Sequence, residues 1–385
     1  MSEMAPSTAE ELAEALQEAG SKGRMIKITG NNSKRLMAGP VASSEAGIST
    51  AKLQRVLEYE PNDLTISVES GMSFAHLQSL LAKHNQMIAL DPPFFAQASV
   101  GGVIASNSSG PMRRGFGTAR DLVIGIRFAT VDGKLIRSGG MVVKNVAGLD
   151  MGKLMIGSFG TLGVITSANF RVHSLPPETR TFLFASKNLD AVLEKRDAVL
   201  HSVLQPISID ILTTPAAMRL GLDGHTLALR AGGSKNVLSR YSRDLAGAIE
   251  LTANPENEFW VRVREFAPDF MNRQRNGIVL RISTSLSAVR SVLKLGCPSI
   301  SRAGSGVTYV FLTNWHSVRP IWNVCQENSW TVTVEFAPDD VRKANQLLLT
   351  SPAPENVNAF GMMKKIKGMF DSGQLLNRSR LYGRI

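Results

Sequence analysis

The sequence predicts an α+β protein of two domains, for three reasons. Its 385 residues are more than a single hydrophobic core usually organises. Residues 101–163 hold 14 of the 33 glycines, and β-forming runs at 123–126 and 142–143 lie between them, which is typical of sheet and tight turn. The later part of the chain alternates strand and helix patterns instead, as an α+β layer does.

The first elements lead into a polar loop. Residues 7–19 have a helical pattern that Ser7 or Thr8 can cap. A short strand at 25–28 then enters the loop Gly30-Asn31-Asn32-Ser33-Lys34. Successive backbone N–H groups and a hydroxyl in such a loop suit a pyrophosphate. The loop matches neither a Gly-x-Gly-x-x-Gly fingerprint nor a Walker motif.

The next elements frame the glycine-rich stretch. A strand is predicted at 62–69, and Ser73 can cap a helix over 74–81. Asp91-Pro92-Pro93 forms a rigid turn, and Asp132-Gly133 between apolar runs predicts a hairpin. A helical segment at 150–156 precedes a buried strand at 162–166.

Glycine, Asn and Ser occur in the same turns of this stretch, as in the run from Gly101 to Gly110. Backbone without side chains allows another group to come very close. The pattern favours a flat, phosphate-bearing cofactor. The alternative is a glycine-rich β-domain with crowded turns and no ligand.

Pro176-Pro177 is the predicted domain boundary, which divides the chain into residues 1–177, 178–360 and a basic closing segment, 361–385, that returns toward the first domain. Strands are predicted at 181–185, 207–212, 226–230, 259–265, 278–283, 308–312 and 330–336. Helices are predicted at 189–203, 237–251, 286–295 and 339–349. This β-α-β-β-α-β rhythm suggests a ferredoxin-like layer.

The chain carries a net charge of +11, which raises the question of nucleic acid. Its basic residues are spread along the chain without interleaved aromatic residues, so we expect no nucleic-acid surface. They form either a solvated surface or a docking surface for an acidic partner or anionic lipid. No apolar run approaches the roughly 20 residues that cross a bilayer, and the acidic N-terminus does not resemble a signal peptide. We expect a cytoplasmic protein that reaches the inner face of a membrane only through partners.

The two cysteines, Cys297 and Cys325, are too few for an iron–sulfur cluster, which usually takes four thiolates. They are interpreted as reduced core thiols. Any cluster in a redox pathway would then lie on another chain.

Several motifs together resemble the FAD-binding domain of the vanillyl-alcohol-oxidase/PCMH superfamily, and within it the FAD-binding subunits of glycolate oxidase. They follow the family's order over about 140 residues. The motifs are the Gly30 loop, Leu90-Asp91-Pro92-Pro93, Val100-Gly101-Gly102-Val103-Ile104-Ala105, Ser109-Gly110-Pro111 with Arg113, residues 115–117, residues 120–125, residues 144–150 and residues 157–164. The family's closing Asn-Pro-Gly-Arg signature reads Asn377-Arg378-Ser379-Arg380 here.

This resemblance implies a PCMH-type domain of two α+β subdomains that sandwich FAD, beneath a cap domain. It implies these cofactor-binding residues: Gly30, Asn31, Asn32, Ser33, Asp91, Pro92, Gly101, Gly102, Asn107, Ser108, Gly110, Gly160, Gly163, Val164 and Ile165. Lys144 and Asp150 are polar partners of the cofactor or members of a structural ion pair. Some relatives bind FAD covalently through a His in the early loop, and residues 30–34 contain none, so non-covalent FAD is predicted.

Oxidation of a 2-hydroxy acid requires a base for the hydroxyl proton and a cation for the carboxylate. Catalytic relatives carry a run like His-x-x-x-Asp-Gly-Asn in the cap domain. None of the six histidines of this chain lies in such a run: His76, His84, His173, His201, His225 and His316. No metal site is predicted. Arg113, close to the glycine-rich stretch, is the candidate for an anion-facing cation.

Three functions follow from the resemblance. The favoured one is an FAD-binding subunit of a glycolate oxidase-like complex, relaying electrons between a catalytic flavoprotein subunit and an iron–sulfur subunit. The second is a self-sufficient FAD-dependent oxidoreductase of a hydroxy acid or alcohol. The third is a non-enzymatic scaffold that has lost FAD.

Overall fold

The computed structural model describes residues 3–141, 150–345, 357–381 and 384–385. Helices and mainly antiparallel sheets alternate through these residues, which confirms the α+β prediction. The predicted strand at 142–143, Lys144 and most of the 144–150 motif lie outside the described residues.

The first half contains short helices between strands. Its elements are β1 (Glu3–Met4), α1 (Ala9–Ser21), β2 (Ile26–Thr29), β3 (Ala46–Ser49), β4 (Val56–Glu60), β5 (Thr65–Glu69), α2 (Phe74–Ala82), β6 (Gln86–Met87), α3 (Val100–Ala105), α4 (Arg113–Phe116), α5 (Ala119–Leu122), β7 (Val123–Ala129), β8 (Leu135–Gly139), α6 (Gly152–Met155), β9 (Val164–Arg171) and β10 (His173–Ser174).

Two sheets organise this half. A parallel sheet has the strand order β1-β3-β2, and an antiparallel sheet has the order β4-β5-β9-β7-β8. The predicted hairpin at Asp132-Gly133 joins β7 to β8. The predicted caps are also present, because the Thr8 hydroxyl accepts from Glu11 N and the Ser73 hydroxyl accepts from His76 N. The buried apolar faces of α2, α3, β5, β7 and β9 form one core.

The second half contains longer elements. They are β11 (Glu178–Ser186), α7 (Leu189–Leu200), β12 (Ser208–Leu212), α8 (Thr214–Met218), β13 (His225–Gly233), α9 (Lys235–Asp244), β14 (Ile249–Leu251), α10 (Ala253–Arg264), α11 (Phe266–Arg273), β15 (Ile278–Ser283), α12 (Val289–Leu293), β16 (Ser299–Arg302), β17 (Val307–Leu312), a 3-10 turn (Trp315–Ser317), α13 (Val318–Glu327), β18 (Thr331–Phe336), α14 (Asp339–Ala344) and α15 (Val357–Phe370).

One eight-stranded sheet, with the order β14-β11-β13-β12-β16-β17-β15-β18, spans this half. Strands β11 to β14 take the spatial order 4-1-3-2, and β15 to β18 take the order 2-3-1-4. The second set follows the β-α-β-β-α-β course of a ferredoxin-like layer, and the first follows it with the short helix α8 added between its second and third strands. The two layers, called here the first and second cap layers, join between β12 and β16.

Three secondary-structure predictions are wrong. Residues 101–105 form part of helix α3 rather than sheet and turn, because Ser99 caps a helical turn there. Residues 259–265 lie mainly in helix α10 and not in a strand, and their apolar contacts come from Phe259, Trp260 and Val263 at helical spacing. The predicted helix at 237–251 ends at Asp244, and β14 follows it.

The closing segment lies against the first half of the chain. The backbone of Ile26 donates to Leu375 O and accepts from Asn377 N, both at 2.9 Å. Behind this pairing, the buried Lys367 ammonium donates to Thr161 O at 2.7 Å and to the buried Asp371 carboxylate. Strand β2, at the edge of the parallel sheet, is therefore held between β3 and the C-terminal residues. In the described ranges, no helix has both the length and the hydropathy needed to cross a membrane.

Candidate functional site

A groove runs between β2 with its following loop, helix α3, the turn before β9, and the C-terminal residues. We call it the glycine groove. It encloses about 760 Å³ and is lined by Ile28, Thr29, Gly30, Asn31, Asn32, Ser33, Lys34, Thr50, Ser99, Gly101, Gly102, Ala105, Ser106, Phe159, Gly160, Gly163, Val164, Ile165, Asn377 and Arg380.

The Gly30 loop and helix α3 meet at Ser99. The Ser99 hydroxyl accepts from Gly102 N at 3.2 Å and so caps the helix. A Cβ atom on Gly30 would lie 2.4 Å from that hydroxyl oxygen, so glycine is required for this close approach. The result is a wall of main chain, with few side chains, on one side of the groove.

Asn377 holds the opposite wall in place. Its side-chain amide donates to Phe159 O and accepts from Ile28 N, each at 2.8 Å. Phe159 and Gly160 both have positive φ, 53° and 73°, so the turn that they form is tight. One side chain thereby fixes the distance between this turn and β2.

Arg380 holds the Gly30 loop through hydrogen bonds to backbone carbonyl groups. Its half-buried side chain donates to Lys34 O and Gly39 O at 2.8 Å and to Arg35 O at 3.2 Å. Burial, and secondarily Arg342, lowers the pKa of Arg380 to about 9. Ser379, where the resembled signature has glycine, takes the left-handed φ of 68°. The altered signature therefore keeps both its hydrogen-bonding ends and its backbone turn.

Lys34 is a buried cation in the same groove. Its side chain is 8% exposed, and its ammonium has no hydrogen-bond partner among the described residues. Burial lowers its pKa from 10.5 to about 8, although the charge of Glu265 acts in the opposite direction. A buried ammonium without a partner is costly unless an anion accompanies it, so the groove is suited to a negatively charged ligand.

These residues fit FAD. The main-chain wall at Gly30, Gly101 and Gly102 allows close approach of a phosphate or a ring, and Lys34 supplies the charge that a diphosphate would satisfy. Those residues, with Gly160 and Gly163 opposite, would hold the dinucleotide. When bound, FAD supplies a two-electron acceptor.

The glycine groove opens into a second space, called here the cap cavity, because Ser106 and Phe159 line both. The cap cavity, about 1120 Å³ with space open to solvent included, lies between the first half of the chain, helices α10 and α11, and the second cap layer. Its polar lining includes Arg113, Arg264, Arg281, Arg302, Tyr309 and Glu335, and its apolar lining includes Phe266, Phe311 and Phe336. No residue of the first cap layer, β11 to β14, is part of the lining that the described residues form.

The structure places most of the predicted cofactor residues around these two spaces. Ten lie along the glycine groove: Gly30, Asn31, Asn32, Ser33, Gly101, Gly102, Gly160, Gly163, Val164 and Ile165. Asn107, Ser108 and the cation candidate Arg113 line the cap cavity. Their roles toward a ligand remain predictions.

Asp91, Pro92 and Gly110 lie behind the walls and line neither space. Gly110 N donates to Leu90 O at 2.8 Å, and the Asp91 carboxylate accepts from Arg264 at 3.1 Å. Asp150 is exposed and interacts locally with Lys153. The contacts of Gly110 and Asp91 shape the walls of the cap cavity.

Sequence reasoning did not identify Arg281, Tyr309 and Glu335, since a strand residue becomes a cavity residue only through the neighbours that the sheet gives it. Lys34, Asn377 and Arg380 belong to motifs that the sequence showed, but nothing in the motifs indicated that these residues line one groove.

No histidine or cysteine occurs among the described residues that line the two spaces. His76 and His84 are exposed. His225 accepts from Thr214 N at 3.2 Å, a structural role. Cys325 is buried in the core of the second cap layer, and burial raises its pKa to about 11.

Known proteins share both the sequence and the fold. A family model described as an FAD binding domain matches residues 3–139. The glycolate oxidase subunit GlcE of Escherichia coli is 30% identical over 256 residues, which cover 66% of this chain and 67% of that protein. The glycolate oxidase subunit GlcD of Bacillus subtilis is 27% identical over 195 residues, covering 50% of this chain and 42% of that protein.

Among solved structures, 4-ethylphenol oxidase from Gulosibacter chungangensis superposes with a TM-score of 0.75 at 14% identity, covering 98% of this chain and 88% of that one. An alkyldihydroxyacetonephosphate synthase gives a TM-score of 0.69 at 16% identity, covering 97% and 75%. At these identities the likeness shows a common fold that spans both halves of the chain.

Proposed function

This chain belongs to the family of the glycolate oxidase subunit GlcE, and from that premise we propose that it is the FAD-binding subunit of a glycolate oxidase-like complex that oxidises a small 2-hydroxy acid. The family consists of FAD-dependent oxidoreductases. Binding of FAD in the glycine groove, the identity of the acid and the assembly with other subunits belong to the proposal.

The observation that carries the proposal is the buried Lys34 ammonium in a groove walled by main chain. A groove that served only for packing would not keep an unpartnered cation. The intact ends of the closing signature, Asn377 and Arg380, support retained FAD over the scaffold alternative.

The two cysteines bear on which subunit of the proposed complex would carry an iron–sulfur cluster. Cys297 and Cys325 are the chain's two cysteines, and burial raises the pKa of both thiols, which disfavours the thiolate form that ligates iron. In the proposed complex an iron–sulfur cluster would lie on another subunit, and a catalytic flavoprotein subunit such as the GlcD relative would complete the complex.

Purification of the untagged native protein tests this assembly. We expect a second flavoprotein and a cysteine-rich chain to co-elute with it in fixed ratio. Elution of the FAD-loaded chain alone at physiological concentration would contradict the proposed complex and leave its FAD-binding role intact.

A second candidate function, a self-sufficient oxidoreductase, is favoured by the arginines and the carboxylate of the cap cavity. The purified FAD-loaded chain, mixed with glycolate or D-lactate and a dye acceptor, separates the two functions. Turnover without partners supports self-sufficiency, whereas turnover only after addition of the partner subunits supports the complex.

A further inference from the structure

Residues 34–39, called here the distal loop, follow the Gly30 loop along the chain and are held by their backbone carbonyl groups. All six carbonyl groups accept a hydrogen bond from outside the loop, and five of the six accept from a guanidinium group. The sixth, Leu36 O, accepts from Ala337 N at 3.2 Å. Arginine holds carbonyl groups in this way because its planar fork offers several donors in fixed directions.

Arg342, on helix α14, supplies one of the two guanidinium groups. It donates to Arg35 O and Ala38 O, each at 3.0 Å, and to Met37 O at 3.5 Å. Arg380, on the C-terminal segment, supplies the other, and the two guanidinium groups share Arg35 O. The distal loop is therefore held from two distant parts of the chain.

Backbone pairing joins the distal loop to the cap sheet at the same place. Ala38 N donates to Glu335 O at 3.1 Å, and Met37 forms an antiparallel bridge with Phe336. Strand β18 stands last in the strand order of that sheet, so the loop covers its edge. Helix α14, which carries Arg342, follows β18 directly. The second cap layer and the helix after it thus hold the loop together.

Packing does not account for the buried charge of Arg342. Its side chain is 3% exposed, whereas that of its acidic partner, Asp339, is 56% exposed. The carbonyl groups of the distal loop are therefore its buried partners. An apolar side chain of similar volume often replaces a buried ionic group without loss of stability. Holding the loop in one shape is a role that an apolar side chain could not fill.

The N–H groups at the other end of the loop have no such partners. In the described part of the chain, the backbone N–H groups of residues 31–34 donate to no other residue, and all four residues line the glycine groove. Arg35 connects the two ends, because its N–H donates to Asn32 O at 3.3 Å while its carbonyl accepts from Arg342 and Arg380. Successive free N–H groups suit an anion.

We propose that Arg342 is a positioning residue of the dinucleotide site, which holds the carbonyl of Arg35 and so keeps the turn of residues 32–35 in the shape that offers its N–H groups to the FAD diphosphate. The inference rests on FAD binding in the glycine groove, which belongs to the proposed function. No described residue of the cap lines that groove. The cap therefore acts on the cofactor through the loop alone.

Positioning by a fork differs from attraction by a charge. A lysine at position 342 would keep the positive charge but lack the planar group that reaches separate carbonyls. If Arg342 acted only through its charge, Arg342→Lys would bind FAD as the parent does. If Arg342 positions the loop, the lysine variant should fail as an uncharged one does.

Titration of the FAD-free full-length chain with FAD, ADP and riboflavin tests the proposal. ADP carries the diphosphate without the flavin, and riboflavin carries the flavin without a phosphate. Arg342→Met and Arg342→Lys should each weaken FAD and ADP binding by about tenfold or more, the effect of losing a charge-assisted hydrogen bond. Riboflavin binding should not change. Flavin fluorescence measures FAD and riboflavin, and displacement of FAD measures ADP.

Lys343→Met is the matched control. Lys343 is the exposed neighbour of Arg342 on the same helix, and the substitution removes a positive charge without touching the loop carbonyls. This variant should bind FAD and ADP as the parent does. Circular dichroism compares the folding of all variants, and Arg342→Lys decides the question where Arg342→Met does not fold.

The outcomes separate the two proposals. A parent chain that binds neither FAD nor ADP would contradict the proposed function. A parent that binds FAD, together with parent-like FAD and ADP affinities in Arg342→Met or in Arg342→Lys, would overturn the positioning role alone. An equal loss of FAD and riboflavin binding would also overturn it, since a displaced phosphate loop does not affect a ligand without phosphate.

Discussion

Gly110 carries no side chain because the turn at Asp91 leaves no room for one. A Cβ atom at Gly110 would lie 1.8 Å from Asp91 O, and a backbone atom cannot yield as a flexible side chain would. The Asp91 carboxylate in turn holds Arg264 on the wall of the cap cavity. Gly110, predicted as a cofactor residue, thus has a packing reason to be glycine.

Gly110→Ala should lower the free energy of unfolding by about 1–3 kcal/mol, the usual cost of forcing an extra methyl group into a packed site. Urea denaturation measures the change. Gly140→Ala is the control, because no described heavy atom lies within 4 Å of its Cβ position. Equal stabilities of the two variants would show that Gly110 is not packed as described.

Lys34 should make FAD binding dependent on pH. Its pKa of about 8 in the FAD-free chain would rise beside a diphosphate, because an anion favours the ammonium form. FAD affinity should therefore be highest below pH 8 and fall as the pH rises above it. Fluorescence titration of the FAD-free chain between pH 7 and 9.5 measures this.

Two variants isolate the contribution of Lys34. Lys34→Met should bind FAD about 10- to 100-fold more weakly at pH 7, since a charge-assisted hydrogen bond is worth about 1.5–3 kcal/mol. Lys34→Arg keeps a cation that stays protonated over this range, so any pH dependence that remains in this variant comes from another group. A parent whose affinity is constant over the range would rule Lys34 out as the titrating group.

FAD should be released when the protein is denatured. No histidine or cysteine lines either space in the described part of the chain, so no usual side chain for a covalent flavin bond is at hand. Trichloroacetic-acid precipitation of the FAD-loaded chain should leave the yellow colour in the supernatant. A yellow pellet would contradict non-covalent binding.

Single residues could be predicted from the sequence where a motif fixes the backbone, as in the Gly30 loop and at Gly160 and Gly163. Arg281 and Glu335 of the cap cavity could not be predicted, because they are separated along the chain and are brought to one cavity by strand register and a bulge. Charge alone does not distinguish them from solvated residues.

Helix α15 depends on one buried ion pair. The Lys367 and Asp371 side chains are 1% and 0% exposed, and the Asp371 carboxylate also accepts from the backbone of Leu375 and Leu376. The Lys367 ammonium reaches Thr161 O and Leu376 O as well. The pair therefore connects the helix to the turn before β9 and to the residues that pair with β2.

Lys367→Met should lower the free energy of unfolding by about 3–5 kcal/mol, because it leaves the Asp371 charge buried without its partner. Thermal or urea unfolding measures the loss. Lys367→Met with Asp371→Asn should recover part of it, since the unpaired charge is then removed. A Lys367→Met chain as stable as the parent would show that the pair is not buried in solution.

Element prediction failed where two periodicities overlap. In residues 259–265, the alternation of Phe259, Val261 and Val263 resembles a strand, yet Val261 is exposed, and buried Glu256 and Trp260 complete a helical face. Trp260 Nε1 donates to Thr181 Oγ1 at 2.7 Å, and Glu256 accepts from Arg230. Tertiary polar contacts to β11 and β13, which the local pattern does not show, fix the helix.

At the scale of the whole molecule, the glycine groove draws on four distant parts of the chain: the β2 loop, α3, the turn before β9 and the C-terminal residues. A ligand that binds only this arrangement stabilises the folded state as a whole. Free FAD at 100 times its Kd should add about 2.7 kcal/mol.

That stabilisation should raise Tm by several degrees, measured by differential scanning fluorimetry with and without FAD. Riboflavin, which lacks the phosphates, is the control ligand and should raise Tm less. An unchanged Tm at saturating FAD would show that the groove does not bind it in the folded chain.

Much of the overall fold could be predicted from the sequence. The β-α-β-β-α-β rhythm indicated a ferredoxin-like layer, and the α+β class is confirmed. The sequence did not show that two such layers join through β12 and β16, because that pairing rests on two residue pairs, Ile211 with Ser301 and Leu212 with Ile300. A contact so short leaves no pattern along the chain.

The two cap layers have mirrored strand orders in the sheet, but they contribute differently to the cap cavity. Every described cap strand that lines the cavity belongs to the second cap layer, β15 to β18. The first cap layer contributes Asp210, the partner of Arg302, at the junction of the two layers. A substitution of Asp210 in the first cap layer would therefore reach the cavity through Arg302. The outer edge of that layer, at the exposed Ile249 of β14, lies at the far end of the strand order from β15 to β18.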